Sequence, residues 1–335
     1  MDINIDKAEE NLSTTGFLDI PVPSGINIVS EINRLKAEKN AIILAHYYQS
    51  DEIQDIADYI GDSLGLAQEA EKTKADIIVF AGVHFMAETA KILNPSKKVI
   101  IPDLLAGCSL SDSCPPDIFK QFINSHPDHK VISYINCSAG IKAVSDVICT
   151  SSNAQLIVES FPRDQRLIFA PDRNLGAYIN KVTGRNMVLW NGACMVHEIF
   201  SVDKLNNLKS QYPEALIIAH PECEEEILEL AHYIGSTTQL LHYTIHSPAT
   251  SFIVVTESGI LHQMKLSSPS KTFIPAPPNN SCACNDCPYM KRNTLEKIYT
   301  ALLYEKPCIT MDEDLMTRSL LPIQRMLSIS KKAGL

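Results

Sequence analysis

Three cysteines occupy matching places in the chain and could together build a metal site. Cys108, Cys194 and Cys287 are 86 and 93 residues apart, and each ends a stretch of similar design. In each stretch a polar residue follows an apolar strand, and a second polar residue comes 17 positions later. Three α/β units that each deliver one thiol to a common point would form a three-cysteine metal site at a pseudo-threefold axis.

The polar residues of these stretches are candidates for substrate binding. They form three pairs, which are His46 and Ser63, Tyr134 and Ser151, and His220 and Thr237. Ligands of open parallel sheets bind outside the carboxyl ends of the strands, where helix N-termini offer N–H groups that suit carboxylates or phosphate. A helix N-cap is the simpler interpretation of any one hydroxyl, and only the spacing that the three pairs share favours binding.

The remaining cysteines are best explained as small buried residues. Ten cysteines in a chain whose N-terminus does not resemble a signal peptide favour free thiols over a disulfide framework. Burial in the core explains Cys149 and Cys308, and also Cys137 and Cys223. It fits Cys108, Cys194 and Cys287 poorly, because each of these lies in a turn-like segment after a strand.

The third cysteine region holds three thiols for one ligand position. Its run is Cys282-Ala283-Cys284-Asn285-Asp286-Cys287, and alone it would equally suggest a small zinc site with further ligands elsewhere. We expect Cys282 and Cys284 to lie near Cys287 without binding the metal. Cys114 has no counterpart in the other two stretches.

The elements that must position these residues alternate between strands and helices. A β-α-β-α-β order predicts parallel sheets in an α/β fold. The predicted strands are 41–45, 76–80 and 98–102 in the first unit, 131–134, 146–149, 166–170 and 186–190 in the second, and 215–219, 239–243, 252–256 and 271–275 in the third. The predicted division is a lead-in at 1–26, then units at 27–115, 116–200 and 201–289, with C-terminal helices in 290–335 packing back on the first unit.

Composition excludes several classes of function. The net charge of −10 argues against a nucleic-acid partner, because phosphate backbones require clustered Lys and Arg. No apolar run approaches the 18 residues of a membrane span. Without a basic region followed by an apolar core near the N-terminus, we expect a cytoplasmic protein.

Several motifs resemble those of the quinolinate synthase family. They occur in the family's order and spacing from about residue 28 onwards. Among them are His46-Tyr47-Tyr48-Gln49, Gly61-Asp62-Ser63, Pro171-Asp172-Arg173-Asn174-Leu175, Gly192-Ala193-Cys194-Met195-Val196-His197, His220-Pro221-Glu222-Cys223 and Cys287-Pro288-Tyr289-Met290.

The resemblance implies an architecture, a cofactor and a reaction. It implies three pseudo-symmetric three-layer αβα units, with small parallel sheets, around a central 4Fe–4S cluster that three cysteines hold. The implied reaction condenses iminoaspartate with dihydroxyacetone phosphate to quinolinate, with loss of phosphate and water, on the way to NAD. An implied further partner is the enzyme that supplies iminoaspartate, in transient contact.

The resemblance also assigns roles to individual residues. Cys108, Cys194 and Cys287 match the cluster ligands, and His197 would lie just outside them. His220 and Glu222 match proton-transfer residues, with Glu222 as the general base, and Tyr48 matches a tyrosine that moves during turnover. Groups that hold substrate carboxylates and carbonyl oxygens are matched by His46, Ser63, Tyr134, Asn136, Ser151 and Thr237.

Three other functions stay open at this point. They are another cluster-dependent hydro-lyase, a redox or iron sensor without turnover, and a structural zinc protein. A sensor would not need Glu222, His220 and Tyr48, and the reaction product would separate the two enzymes.

Overall fold

The structure is a computed structural model that describes residues 5–278 and 285–335. Its strands form three parallel four-stranded sheets with the same strand order, in which the first strand of each unit lies second in the sheet. The first sheet contains β1 (Ala41–His46), β2 (Tyr59–Gly61), β3 (Ile77–Ala81) and β4 (Lys98–Ile100). The second contains β5 (His129–Tyr134), β6 (Val147–Cys149), β7 (Arg166–Ala170) and β8 (Val188–Leu189), and the third β9 (Leu216–Ala219), β10 (Tyr233–Ile234), β11 (Ser251–Val255) and β12 (Thr272–Pro275).

Helices flank the sheets and connect their strands. In chain order they are α1 (Ile5–Glu10), α2 (Leu12–Thr15), α3 (Ile28–Glu38), α4 (Asp51–Ile56), α5 (Ser63–Lys72), α6 (His84–Leu93), α7 (Ser109–Asp112), α8 (Pro116–Asn124), α9 (Ala139–Lys142), α10 (Ala154–Glu159), α11 (Arg173–Thr183), α12 (Val202–Gln211), α13 (Glu225–Leu228), α14 (Thr237–His246), α15 (Ile260–Ser267), α16 (Leu295–Tyr304) and α17 (Glu313–Lys332). With helices on their faces the sheets make three-layer α/β arrangements, which confirms the predicted fold class.

The pairing of neighbouring strands explains the 17-residue spacing. His46 at the end of β1 is the register partner of Gly61 in β2, and Tyr134 at the end of β5 is the partner of Cys149 in β6. Ser63 and Ser151 come two residues after those partners. The spacing therefore spans one short helix and the parallel edge strand, and it brings both polar residues to the same carboxyl edge.

Sequence patterns predicted most strands, and one prediction is wrong. The five residues of β3 are buried, as expected for a central strand of a parallel sheet with both faces covered. The segment 239–243, predicted as a strand, lies inside α14. Its N-cap Ser236 accepts from the Gln239 N–H while the Gln239 side chain accepts from the Ser236 N–H, and this capping box stabilises a helix. The short edge strands β2 and β10 had no apolar run to predict them.

The chain divides into two compact units. One comprises residues 1–108 and 288–316, and the other comprises 109–287 and 317–335. In the first unit α3 and α16 pack on the first sheet, where Ile32, Ile43 and Ile298 are wholly buried. The second unit contains the second and third sheets, with separate apolar clusters around Phe119 and Ile253. The predicted boundaries of three units stay a prediction.

No helix in the described part of the chain is long and apolar enough to cross a membrane.

Candidate active site

Glu222 is the centre of a buried polar cluster in the second unit. It lies two residues beyond His220, which directly follows β9, and only 2% of its surface is exposed. The Tyr134 hydroxyl, at the end of β5, donates to Glu222 Oε1. His197 Nδ1 lies 3.1 Å from Glu222 Oε2, and His220 Nδ1 lies 3.8 Å from Oε1. The carboxyl ends of the second and third sheets therefore meet at one carboxylate.

The two histidines of this cluster are held by each other and by hydroxyl groups. Their rings stack with centroids 4.7 Å apart and planes inclined by 24°. His220 Nε2 lies 3.2 Å from Ser151 Oγ, and His197 Nε2 lies 2.9 Å from Thr256 Oγ1. Each imidazole thus has one nitrogen toward Glu222 and the other toward a hydroxyl, which is an arrangement that can pass a proton.

Two buried carboxyl groups in this region have pKa values that move in opposite directions. Burial alone would raise the pKa of Glu222, but the imidazoles of His197 and His220 and the Tyr134 hydroxyl lower it to about 2. Burial and the charge of Glu222 raise the pKa of Asp172, despite backbone N–H donors at Leu175 and Asn174. Glu222 is therefore ionised at neutral pH, and Asp172 holds its proton more tightly. Such a separation is typical of acid–base sites.

Sequence reasoning did not assign a role to Asp172. Its Oδ1 accepts from the Leu175 N–H at 2.8 Å and caps α11, while its wholly buried Oδ2 has no hydrogen-bond partner within residues 5–278 and 285–335. Asn174 Nδ2 donates to the Glu222 carbonyl oxygen at 3.2 Å and so ties the start of α11 to the Glu222 loop. Thr256 was also missed. Thr256 directly follows β11, and Asp172 lies two residues after β7, so a search for polar residues just after every strand would find both.

The hydroxyl residues of the repeated pairs are not the helix caps. The side chain of Asp62 caps α5, and that of Ser236 caps α14, so Ser63 and Thr237 are the first helical residues. Ser151 precedes α10 and faces His220. The simpler interpretation of these hydroxyls as caps is therefore wrong. Asn136 is half-buried, and its Oδ1 lacks a hydrogen-bond partner among the described residues.

Cys194 adjoins the carboxylate cluster. Its Sγ, a His197 ring nitrogen and a Glu222 oxygen all lie within 4.8 Å of one another, so the three residues have the donor types and proximity of a metal site. The loop holds its shape because the Cys194 carbonyl accepts from the His197 and Glu198 N–H groups, each at 3.0 Å. This places a thiol next to the proposed proton-transfer groups.

Cys287 is anchored by residues 256 and 257, which directly follow β11. Its N–H donates to Glu257 Oε1 at 3.1 Å, and Asn285 Nδ2 donates to the Thr256 carbonyl at 2.7 Å. Since the Thr256 hydroxyl contacts His197, a continuous series of contacts runs from Cys194 to the Cys287 backbone. Cys282 and Cys284 fall outside the described residues, so their expected place near Cys287 stays a prediction.

Burial separates the candidate ligands from most other cysteines. Cys108, Cys194 and Cys287 are half-buried, whereas Cys114, Cys137, Cys149 and Cys223 are buried. Burial raises the pKa of the Cys114, Cys149 and Cys223 thiols, which makes them poor ligands. Cys308 is half-buried, contrary to expectation, but burial still raises its pKa, and its Sγ lies 3.1 Å from the Glu305 carbonyl. Cysteine thiols outside the core are the donor type that a 4Fe–4S cluster with one iron free of thiolate would use.

The first unit contains the remaining predicted residues. His46 is buried, and its Nδ1 accepts from the Tyr48 N–H at 3.1 Å while its ring meets the Tyr48 ring edge-on at 4.5 Å. Lys291 Nζ donates to the Tyr48 carbonyl at 2.8 Å. Tyr48 and Ser63 are half-buried. Cys108 ends the segment that follows β4.

The chain is similar to known proteins over most of its length. Residues 30–328 match the family described as Quinolinate synthetase A protein. The chain is 64% identical over 304 residues to a quinolinate synthase of Synechocystis sp., covering 91% of this chain and 96% of the relative. It is 63% identical to one of Microcystis aeruginosa (91% and 95% covered) and 59% identical to one of Chloroherpeton thalassium (92% and 96% covered). Among solved structures, a diphosphate reductase of Plasmodium falciparum (E-1-hydroxy-2-methyl-but-2-enyl-4-diphosphate reductase) covers 83% of this chain and 93% of its own at a TM-score of 0.32 and 10% identity, too distant to inform the fold.

Proposed function

Because the chain belongs to the quinolinate synthetase A family, we propose that it condenses iminoaspartate with dihydroxyacetone phosphate to quinolinate, releasing phosphate and water. The observation that carries this proposal is the cluster of Glu222, His220 and Tyr134 beside the Cys194 thiol. The reaction requires several proton transfers, and an arrangement of one buried carboxylate between two imidazoles can supply them. A cytoplasmic location and a transient contact with the enzyme that supplies iminoaspartate belong to the same proposal.

Cys108, Cys194 and Cys287 would hold a 4Fe–4S cluster. When bound, the group supplies a Lewis-acidic iron with a position free of thiolate, which can polarise a substrate hydroxyl or carbonyl. A fourth cysteine ligand would instead suit electron transfer. Two of these proposed ligands belong to the second unit. The Cys194 carbonyl accepts from two backbone N–H groups of its own loop, and the Cys287 N–H donates to the Glu257 carboxylate.

Substrate carboxylates would bind at the carboxyl edges of the sheets. Ser63 and Thr237 are the first residues of α5 and α14, where backbone N–H groups and the helix dipole favour anions. Since neighbouring residues do the capping, these two hydroxyls can face a ligand. The full set proposed to hold substrate is His46, Ser63, Tyr134, Asn136, Ser151 and Thr237.

Proton transfer would use Glu222 and His220 as a pair. A carboxylate with a pKa of about 2 is a weak base at neutral pH, so Glu222 alone is poorly matched to proton abstraction. Beside it, the imidazole of His220 can take the proton while the carboxylate stabilises the resulting cation. Ser151 holds the other nitrogen of His220 and fixes the ring. The proposed general base is then the pair of Glu222 and His220. Tyr48, which belongs to the first unit, is the third proposed catalytic residue.

Product analysis tests the proposed reaction. Protein purified without oxygen is given iminoaspartate and dihydroxyacetone phosphate, and quinolinate is measured by chromatography with mass detection. The proposal expects quinolinate and free phosphate in equal amounts. Dehydration of a simple hydroxy acid without quinolinate would assign the site to another hydro-lyase, and no turnover of either kind would favour a sensor.

A further inference from the structure

Residues 5–20 precede the part of the chain that matches the family, which begins at residue 30. They are nevertheless packed into the first unit. Leu18 and Ile20 are buried with Ala8 in a small apolar cluster that also includes Tyr304 of α16. Lys306 forms an ion pair with Glu9 at 2.5 Å. The N-terminal segment, as residues 5–20 are called below, is therefore part of the folded unit, and the family match assigns it no role.

This segment is bonded to the loop that leads to Cys108. The Leu104 N–H donates to the Gly16 carbonyl at 2.7 Å. Gly16 has a φ of +83° and lies so close to the loop that an added Cβ would be 2.7 Å from Leu105 Cγ and would also collide with Asp103 Oδ1. A side chain at position 16 must therefore move the segment or the loop, in addition to the cost of positive φ.

Asp103 connects the same loop to the helix that follows Cys287. Its wholly buried carboxylate accepts from Lys297 Nζ at 2.6 Å, Arg292 Nε at 3.1 Å and the Leu105 N–H at 2.8 Å. Lys297 Nζ also lies 4.1 Å from the centre of the Phe17 ring, within range of a cation–π interaction. Gly16 thus contacts the loop, and Phe17 contacts Lys297, the cation that pairs with the Asp103 carboxylate of that loop.

We propose that the N-terminal segment is a positioning element that fixes residues 103–107 and thereby the place of Cys108. The loop has further support from within, since the Ala106 N–H donates to the Asp103 carbonyl at 3.0 Å and the His84 N–H donates to the Ala106 carbonyl at 2.7 Å. The expected consequence is tighter binding of the cluster, and it rests on the proposed role of Cys108 as a ligand. A ligand that is held in place by its surroundings binds metal more tightly than a mobile one.

Two glycines offer a matched test. Gly16 and Gly25 both have a φ of +83°, but nothing lies within 4 Å of a Cβ added at Gly25. Gly16→Ala and Gly25→Ala therefore share the backbone cost, and only the first pushes on the loop. In the full-length metal-free protein, the rate of Cys108 alkylation is followed by mass spectrometry of the peptide that contains it. We expect Gly16→Ala to speed labelling about tenfold over Gly25→Ala, since a loss of about 1.4 kcal/mol in local opening free energy raises the open population tenfold.

Phe17→Ala is the second variant, because it removes a contact to Lys297 without changing the backbone. It should also speed Cys108 labelling, while its melting temperature stays close to that of the parent. After the cluster is rebuilt with iron and sulfide, Gly16→Ala and Phe17→Ala should both lose iron to a chelator faster than Gly25→Ala. The proposal is overturned if neither variant labels faster than Gly25→Ala. If labelling changes as expected but the parent binds no cluster, the positioning role stands and the proposed function fails.

Discussion

In each sheet, polar residues recur at both ends of the strand pair that comes first in the chain. The residues at the amino ends and those at the carboxyl ends form different kinds of hydrogen bond. At the amino ends, Asp58, Asp146 and His232 each precede an edge strand and lie 15 residues after Ile43, Val131 and Ile217. Each accepts from the N–H of that central-strand residue through its side chain, at 2.7, 2.8 and 3.1 Å. Each also donates its own N–H to the carbonyl of the same residue, at 3.0, 2.9 and 2.7 Å.

The polar residues at the carboxyl ends in the second unit make bonds of another kind. Tyr134 donates to Glu222, and His220 contacts Ser151, so side chains meet side chains from the other sheet. The amino-end repeat extends the pairing of two strands and satisfies backbone groups, whereas the carboxyl-end repeat gathers ionisable groups. In the second unit, the repeated polar residues at the carboxyl ends therefore contact polar side chains of the other sheet, whereas those at the amino ends bond to backbone groups of the neighbouring strand.

The largest effect should come from a thiol at the carboxyl end. We expect Cys194→Ser to abolish the cluster, because serine is a poor ligand for iron in such groups. The matched variant is Cys149→Ser at the end of β6, where the thiol is wholly buried. Iron and sulfide content of both variants, prepared without oxygen, is the measurement. Equal loss in the two would show that burial does not distinguish ligands from core cysteines.

Glu222→Gln should lower turnover by about 10²–10⁴-fold while the cluster and substrate binding persist, because the change removes a charge with little change of shape. Asp146→Asn is the control, since it alters a carboxylate at the amino end of the neighbouring sheet. Steady-state kinetics of both variants is the measurement, and we expect the loss of turnover in Glu222→Gln alone. Parent-like rates in Glu222→Gln would transfer the proton-transfer role to His220 or Tyr48.

Asp146→Ala should destabilise the fold by about 1–3 kcal/mol, because the Val131 N–H loses its partner inside the protein. The change also leaves Lys130 without its ion pair, which adds little because half of the Lys130 side chain is exposed. Urea unfolding followed by circular dichroism gives the value. Below the transition the activity should equal that of the parent, and a specific loss of turnover would contradict a purely structural amino-end repeat.

The smallest effect is a dependence of stability on pH. The folded-state pKa of Glu222 is lowered to about 2, so its ionised form stabilises the fold fully above the unfolded pKa of about 4.3. That contribution is lost as the pH falls from about 4.3 toward 2. Urea midpoints of the parent and Glu222→Gln at pH 6 and pH 3 should therefore converge on acidification. A constant difference would mean that Glu222 does not carry this charge in the folded protein.

The sequence predicted the parallel α/β sheets and most of their strands, while the roles of the residues at the carboxyl ends stay predictions. The spacing of His46 and Ser63, repeated twice, correctly placed polar pairs at shared strand edges. Asp58, Asp146 and His232 were not singled out, because two acids and a histidine do not look like one repeated feature until their backbone partners are known. The strand prediction for 239–243 is wrong because a short apolar run does not distinguish a strand from a buried helix, and the Ser236–Gln239 capping box favours the helix.

Metal analysis of the parent protein tests the central claim most directly. Protein purified and kept without oxygen is assayed for iron, acid-labile sulfide and zinc per chain. The three half-buried thiols predict about four irons and four sulfides, with Cys108, Cys194 and Cys287 as the ligands. One zinc per chain without sulfide, bound through Cys194, His197 and Glu222, would contradict the account.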